Sequence, residues 1–289
     1  MDMKIDMYDK RKSIWRVICL FLLFAGWVGL NEGNAQELTY ITFNGDNVSV
    51  NGSGVSRDGN FVDLTIGGTR VYVVRGTTTN KTIRCKADNI SIRLQGARIT
   101  GVEAAIKTTT IPQTLNLIID DQNYGDSYLK GAQNWAAVQV DRTSTINVSA
   151  FPGTSAAAYF EGGSGGAGIG GGGLYDKDPG NINIISGRVY ATSTNAAAAI
   201  GGGSDKAVGG FAKNITISGG YVEAKARNGG AAIGSGHGQM HGNITISGGT
   251  VYTETTAPSG SEPGAGIGGG RYCTQSSSNT YYIITRWRN

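Results

Sequence analysis

One phrase recurs along this chain at a period in the low thirties, and that period restricts the fold more than any other feature. Gly-Ala-Gly-Ile-Gly-Gly-Gly fills 166–172 and again 264–270, with Ala-Ala-Ile-Gly-Gly-Gly at 198–203 and Ala-Ala-Ile-Gly-Ser-Gly at 231–236. Plainer copies precede them at Ala104-Ala105-Ile106 and Ala136-Ala137-Val138. Aligned on the apolar residue, Ile106, Val138, Ile169, Ile200, Ile233 and Ile267 are spaced by 32, 31, 31, 33 and 34 residues. Self-similarity at such a period marks a solenoid, a propeller or an array of small units.

A second phrase alternates with the first. Asn181-Ile182-Asn183-Ile184, Asn214-Ile215-Thr216-Ile217-Ser218-Gly219-Gly220 and Asn243-Ile244-Thr245-Ile246-Ser247-Gly248-Gly249 are each followed by Val189, Val222 or Val251 beside a tyrosine. Upstream it aligns at Ile90, Leu117 and Ile146. Each repeat thus holds three short period-two segments, for example Ile215-Thr216-Ile217, Tyr221-Val222-Glu223-Ala224 and Ala231-Ala232-Ile233. Three short strands and three turns describe one triangular coil, and identical coils stacked at strand spacing pair in parallel. The expected fold is all-β, a right-handed single-stranded parallel β-helix with 31–34 residues per coil. A leucine-rich solenoid would need regular leucine and a helical arc, and a propeller blade needs a longer, four-stranded repeat. Asn89, Asn116, Asn181, Asn214 and Asn243 are expected at one corner position, interrupted by Thr145, as a ladder of stacked amides satisfying one another along the axis.

Composition agrees where it bears on the question. Glycine is 47 of 289 residues, about 16% against roughly 7% on average, yet without the period of collagen and interleaved with Ile and Val in register. Residues 1–35 read as a secretory signal: Lys10, Arg11, Lys12 and Arg16 precede an apolar run from Val17 to Leu30, too short to span a bilayer comfortably, and Gly33-Asn34-Ala35 offers a cleavage site. A retained anchor is the alternative; Cys19 sits inside the run and not behind a lipobox. The expectation is export to the cell surface, periplasm or medium, with no membrane insertion after cleavage. Five basic and four acidic residues leave with that segment, and the remaining 20 and 17 are dispersed, which gives nucleic-acid binding no electrostatic support. Cys85 and Cys273 are expected about six coils apart, roughly 29 Å at ~4.8 Å per coil, and therefore as free thiols.

The division expected is a signal at 1–35, an irregular β cap at 36–86 with strands near Val48–Val50, Phe61–Ile66 and Val71–Val74, coils over 87–270, and an incomplete or truncated last coil at 271–289. In that last stretch Tyr281 to Trp287 is the segment able to add an edge strand.

The combination of Ala-Gly-Ile-Gly-Gly-Gly with Ile-Thr-Ile-Ser-Gly-Gly-Thr-Val, present here between about Lys86 and Gly270, resembles a family of exported bacterial surface proteins built on right-handed parallel β-helices. The resemblance implies carbohydrate binding, with pectin-type acidic polysaccharides as ligands and calcium in some members. The shared residues are core and corner positions, so no functional residue is implied with them.

Candidate sites must therefore come from outward residues. With Val189, Val222 and Val251 inward, one outward column is Tyr190, Glu223, Tyr252 and its neighbour is Arg188, Tyr221, Thr250. Tyr190, Tyr221, Tyr252 and Glu223 are the carbohydrate-contact candidates, the alternative being a ladder that only stabilises the sheet. Two acidic turns, one with Asp120, Asp121 and Asp126 and one with Asp176 and Asp178, are the candidate holders of Ca2+, the alternative being ordinary turn aspartates. Ser235-Gly236-His237-Gly238 and Asp120-Asp121 resemble motifs of polygalacturonases, but here they lie 116 residues apart, more than three coils, where carboxylate catalysis on a glycosidic bond needs close pairs. His237 and His241 have no third ligand nearby in sequence and read as loop residues. The expected function is a non-catalytic polysaccharide- or glycan-binding surface protein. A structural or adhesin-like module is the alternative, and a diverged polysaccharide lyase or hydrolase is third.

Overall fold

The structure is a computed structural model that describes residues 36–109, 112–174, 176–205, 208–273 and 282–284. The chain divides into Met1–Glu37 and Leu38–Asn289. Of the first unit only Gln36 and Glu37 are described, so the signal-peptide reading lies outside the described residues.

The described residues of Leu38–Asn289 form a parallel β-solenoid of about seven turns, with no helix among them. Its three faces follow from the period-two segments of the repeat. The first stacks Thr114–Asp120, Thr145–Ala150, Asn181–Ile184, Asn214–Ile217, Asn243–Ile246 and Tyr282–Ile284. The second stacks Ser127–Lys130, Ala157–Glu161, Arg188–Thr192, Tyr221–Arg227 and Thr250–Thr256. Ile90–Thr100 serves both, bending at Gly96 with φ 60. The third stacks Phe61–Leu64, Thr82–Cys85, Ile106–Lys107, Val138–Gln139, Ile169–Gly170, Ile200–Gly201, Ile233–Gly234 and Ile267–Gly268. Parallel stacking extends back to Leu38–Asn44, which pairs with Val71–Thr78. The N-terminal end is closed by two antiparallel hairpins, Leu38–Asn44 with Asn47–Asn51 and Val55–Asp58 with Phe61–Leu64. Their two-residue turns begin at Gly45 and Gly59, at φ 58 and 57, the left-handed backbone such turns demand. At the other end Tyr282–Ile284 adds one more strand to the first face, while 274–281 and 285–289 lie outside the described residues.

The aligned isoleucines are the core. Ile83, Ile106, Val138, Ile169, Ile200 and Ile233 form one column on the third face, each 0% exposed. On the first face the column is Ile90, Leu115, Ile146, Ile182, Ile215 and Ile244. Leu117 was expected there but belongs two residues on, beside Ile92 and Val148. The stretch Thr114–Asp120 alternates apolar and polar residues throughout, so a two-residue slip leaves the pattern intact and only the pairing fixes it.

That slip also corrects the asparagine ladder. There are two rows on the outer face of the first sheet, half-buried except at the exposed Asn89 and Asn243, and not one buried row at a corner. Asn181, Asn214 and Asn243 share a row with Thr145, each Nδ2 donating to the previous coil at 3.2, 2.8 and 3.2 Å. Asn116 belongs to the second row with Asn147 and Asn183, linked at 2.9 Å at both steps. Asn89, at φ 50 just before its strand, accepts from Asn116 Nδ2 at 3.0 Å and so joins that second row.

The Gly-Gly-Gly runs have a backbone reason. Gly170, Gly201, Gly234 and Gly268 stack in register at φ 140, 132, 141 and 133, a region L side chains rarely adopt. A Cβ on each of the first three would overlap the carbonyl oxygen of the next. That same column holds Arg84, Lys107 and Gln139 in earlier coils, where the backbone turns normally.

Cys85 is buried and Cys273 exposed, and both are free thiols at opposite ends of the third face. Burial pushes the Cys85 thiol up to about 12, so it is unreactive at neutral pH.

Candidate functional site

The outward side of the second face carries five tyrosines in an unbroken run. Its pairing registers put Arg98, Tyr128, Tyr159, Tyr190, Glu223 and Tyr252 in one column, with Arg188, Tyr221 and Thr250 beside it. The parallel ladder sets equivalent side chains one strand spacing apart, close to the distance at which aromatic rings stack. Tyr128 and Tyr159 lie with centroids 4.6 Å apart and planes 4° from parallel; Tyr159 and Tyr190 lie 4.7 Å apart at 12°. Glu223 then occupies the column, and Tyr221 from the adjacent column fills the gap. The run continues through Tyr221 to Tyr252 at 5.6 Å for both steps, with the rings tilted by 45° and 43°. Tyr190, Tyr221, Glu223 and Tyr252 are thus brought together.

Polar groups flank the rings. The Arg98 guanidinium lies 4.3 Å over the Tyr128 ring, closing that end. Lys130 pairs with Glu161 at 2.7 Å, and Lys225 with Glu223 at 2.8 Å and Glu254 at 3.4 Å. Arg188 donates to the Tyr190 hydroxyl at 3.2 Å, and the Tyr221 hydroxyl donates to Glu223 at 3.2 Å. The hydrogen bond from Lys225 holds the Glu223 carboxyl below its usual range, and desolvation with the Glu223 bond pushes the Tyr221 phenol up. The Tyr159 phenol is also raised, first by desolvation and then by the charge of Asp126. Tyr159 and Tyr221 are therefore neutral hydroxyl donors and acceptors at ordinary pH. At the Arg98 end the face deepens into a shallow groove of about 230 Å3 walled by Thr77, Thr100, Tyr128, Lys130, Tyr159 and Glu161 among others.

Stacking decides what these rings can offer. Between Tyr128 and Tyr190 each face is occupied by a neighbouring ring, so the surface presents ring edges and hydroxyls. Partly open faces remain where the rings splay toward Tyr252, which is 57% exposed.

Tyr128, Tyr159, Arg98 and Lys130 were missed in the sequence. A signal was present: Tyr128, Tyr159, Tyr190 and Glu223 each stand eight residues before the first alanine of the repeat phrase, at Ala136, Ala167, Ala198 and Ala231. Those strands lack the Val-Tyr and Tyr-Val pairs that mark the later coils.

The five candidate aspartates do not converge. Asp120 is 2% exposed and takes a 2.5 Å ion pair from Arg93 and a 2.6 Å hydrogen bond from Gln95. Asp121 accepts from the Ser155 amide at 3.1 Å, which holds its carboxyl below the usual range, and Asp126 accepts from the Ala157 amide at 2.8 Å. Both tie one coil to the next. Asp176 accepts from Gln139 at 3.1 Å, and Asp178 from the Phe211 amide at 2.7 Å and from Arg142 at 3.3 Å. Among the described residues no three His, Cys, Asp or Glu side chains form a metal-holding group.

Ser235 and His237 lie more than three coils from Asp120 and Asp121, and both have structural partners. The Ser235 hydroxyl donates to the Met240 carbonyl at 2.6 Å and accepts from the Ala212 amide at 2.9 Å. His237 Nε2 faces the Arg271 guanidinium at 3.4 Å, and burial, then that charge, lowers its pKa. His241 Nδ1 lies 2.7 Å from the Gly242 carbonyl.

No family model matches the chain. No curated protein matches it. One solved structure that is similar belongs to a polysaccharide lyase-like protein from C. thermocellum, a gadolinium derivative; it is 16% identical with a TM-score of 0.48, and the match covers 77% of this chain and 97% of that one.

Proposed function

We propose that this chain is an exported, surface-acting protein that binds a polysaccharide without cleaving it, along the tyrosine-bearing outer face of the second sheet. The observation that carries this reading is the continuous Tyr128–Tyr159–Tyr190–Tyr221–Tyr252 run with paired charges on its flanks. A repeating polymer has a repeating need: an apolar edge and hydroxyl partners at each step. A solenoid supplies the same side chains once per coil, so contacts add along the axis and need not be concentrated in one pocket. The Lys130–Glu161 and Lys225–Glu223–Glu254 charges are paired, while Arg98 and Arg188 lie against tyrosines, so the face offers a polysaccharide both hydroxyl partners and cationic groups.

The face-to-face packing of Tyr128, Tyr159 and Tyr190 favours a second reading, a structural surface module whose ladder only rigidifies the sheet. Affinity electrophoresis of the secreted form through gels holding neutral or acidic polysaccharides, with and without chelator, separates the two. Retardation by at least one polysaccharide, with no release of reducing ends or unsaturated sugar, is expected. Loss of retardation with chelator would add calcium to the site. Free migration in every gel favours the structural module.

A further inference from the structure

A second groove, of about 590 Å3, opens at the N-terminal end of the solenoid and shares no wall residue with the groove at the Arg98 end. Its walls come from the two closing hairpins: Asp46, Asn47, Val48 and Ser49 from one, Arg57, Gly59, Phe61 and Val62 from the other, with Lys81 from the next coil. Lys81 is only 8% exposed, and its ammonium donates to neutral acceptors, the Gly59 carbonyl at 3.3 Å and Asn60 Oδ1 at 3.2 Å. Arg57 likewise spends one donor on the Val48 carbonyl at 2.8 Å. Among the described residues neither cation has an ion-pair partner. The one carboxylate in the wall, Asp46, accepts from the Asn80 amide.

A buried ammonium without a counterion is costly, and its hydrogen bonds to carbonyls offset this only in part. Two cations against one carboxylate leave the groove one charge short of neutrality. Phe61, Val48 and Val62 add apolar wall. We infer that this groove is a binding site for a small monocarboxylate with an apolar body, its carboxylate held between Lys81 and Arg57. The volume falls within the usual range for small-ligand sites.

The test uses benzoate as the probe and benzyl alcohol as its neutral counterpart, titrated at constant ionic strength into the isotope-labelled secreted form. Saturable shifts of the amides at Asn47–Ser49 and Gly59–Val62 are expected with benzoate and not with benzyl alcohol. Arg57→Gln, a change at an exposed residue, should weaken binding at least about fivefold, and Lys81→Gln more. Asp46→Asn should tighten it, since it removes the competing charge. The proposal is overturned if benzoate gives no saturable shifts, if benzyl alcohol matches it, or if Arg57→Gln and Asp46→Asn do not move the affinity in opposite directions.

Discussion

Gly201→Ala is expected to destabilise the solenoid by about 4 kcal/mol, combining a strained backbone with an overpacked contact. Gly201 sits at φ 132, outside the left-handed well that even asparagine tolerates. Its added methyl would overlap the Gly234 carbonyl oxygen, which is backbone and cannot swing aside. That oxygen accepts from the Gly202 amide at 2.9 Å, so displacing it also breaks the ladder between coils. The Gly201 carbonyl in turn accepts from Gly171 at 2.8 Å, which spreads the disturbance to the coil on the other side. Gly45→Ala is the matched comparison: its φ is 58 and nothing stands within 4 Å of the new carbon, so a cost near 1 kcal/mol is expected. Urea unfolding of the two variants, read as a shift in midpoint at unchanged slope, checks the difference.

Asp120→Ala is expected to cost about 3 to 5 kcal/mol, because it strands a buried guanidinium. Arg93 is 12% exposed at its side chain and lies 3.6 Å over the Phe151 ring, so it cannot reach water without leaving its packing. Among the described residues Asp120 supplies its only ion pair, and it also accepts from Gln95, whose own oxygen accepts from Arg75 at 2.6 Å. The network therefore joins three coils at the corner between the first and second faces. Replacing both partners with Arg93→Met and Asp120→Leu should recover most of the loss, since the pair's desolvation roughly cancels its attraction. A double-mutant cycle by urea unfolding measures this coupling. A cost below about 1 kcal/mol for Asp120→Ala would mean that the pair is solvated.

The fold was legible because the repeat constrains each residue several times over. Ile106, Val138, Ile169, Ile200, Ile233 and Ile267 fall in one column as their spacing requires, and the outward columns at Tyr190–Glu223–Tyr252 and Arg188–Tyr221–Thr250 pair as period two dictates. Legibility failed where two registers share one pattern. Leu115 and Leu117 are both inward, and Asn116 lies between them, so nothing local distinguishes one asparagine row from the other. The candidate site was half legible. The later coils carry tyrosine next to valine, while Tyr128 and Tyr159 stand beside Leu129 and Phe160 and escape a search for that pair. The aspartates look like a cluster in sequence, yet each serves a different backbone or side-chain partner once the coils stack. Such pairings are made between residues some thirty positions apart, which local spacing does not encode.

The most direct measurement of the central claim is the affinity of a retained polysaccharide for the wild type, Tyr128→Ala, Tyr159→Ala and Asn147→Ala. The first two variants open the tyrosine run, and the third removes an outward side chain from the first face as a control. The claim predicts a loss of about 2 kcal/mol, roughly thirtyfold, for each tyrosine variant and no change for Asn147→Ala. Equal affinity across all four proteins would contradict it and leave the tyrosines as a purely structural ladder.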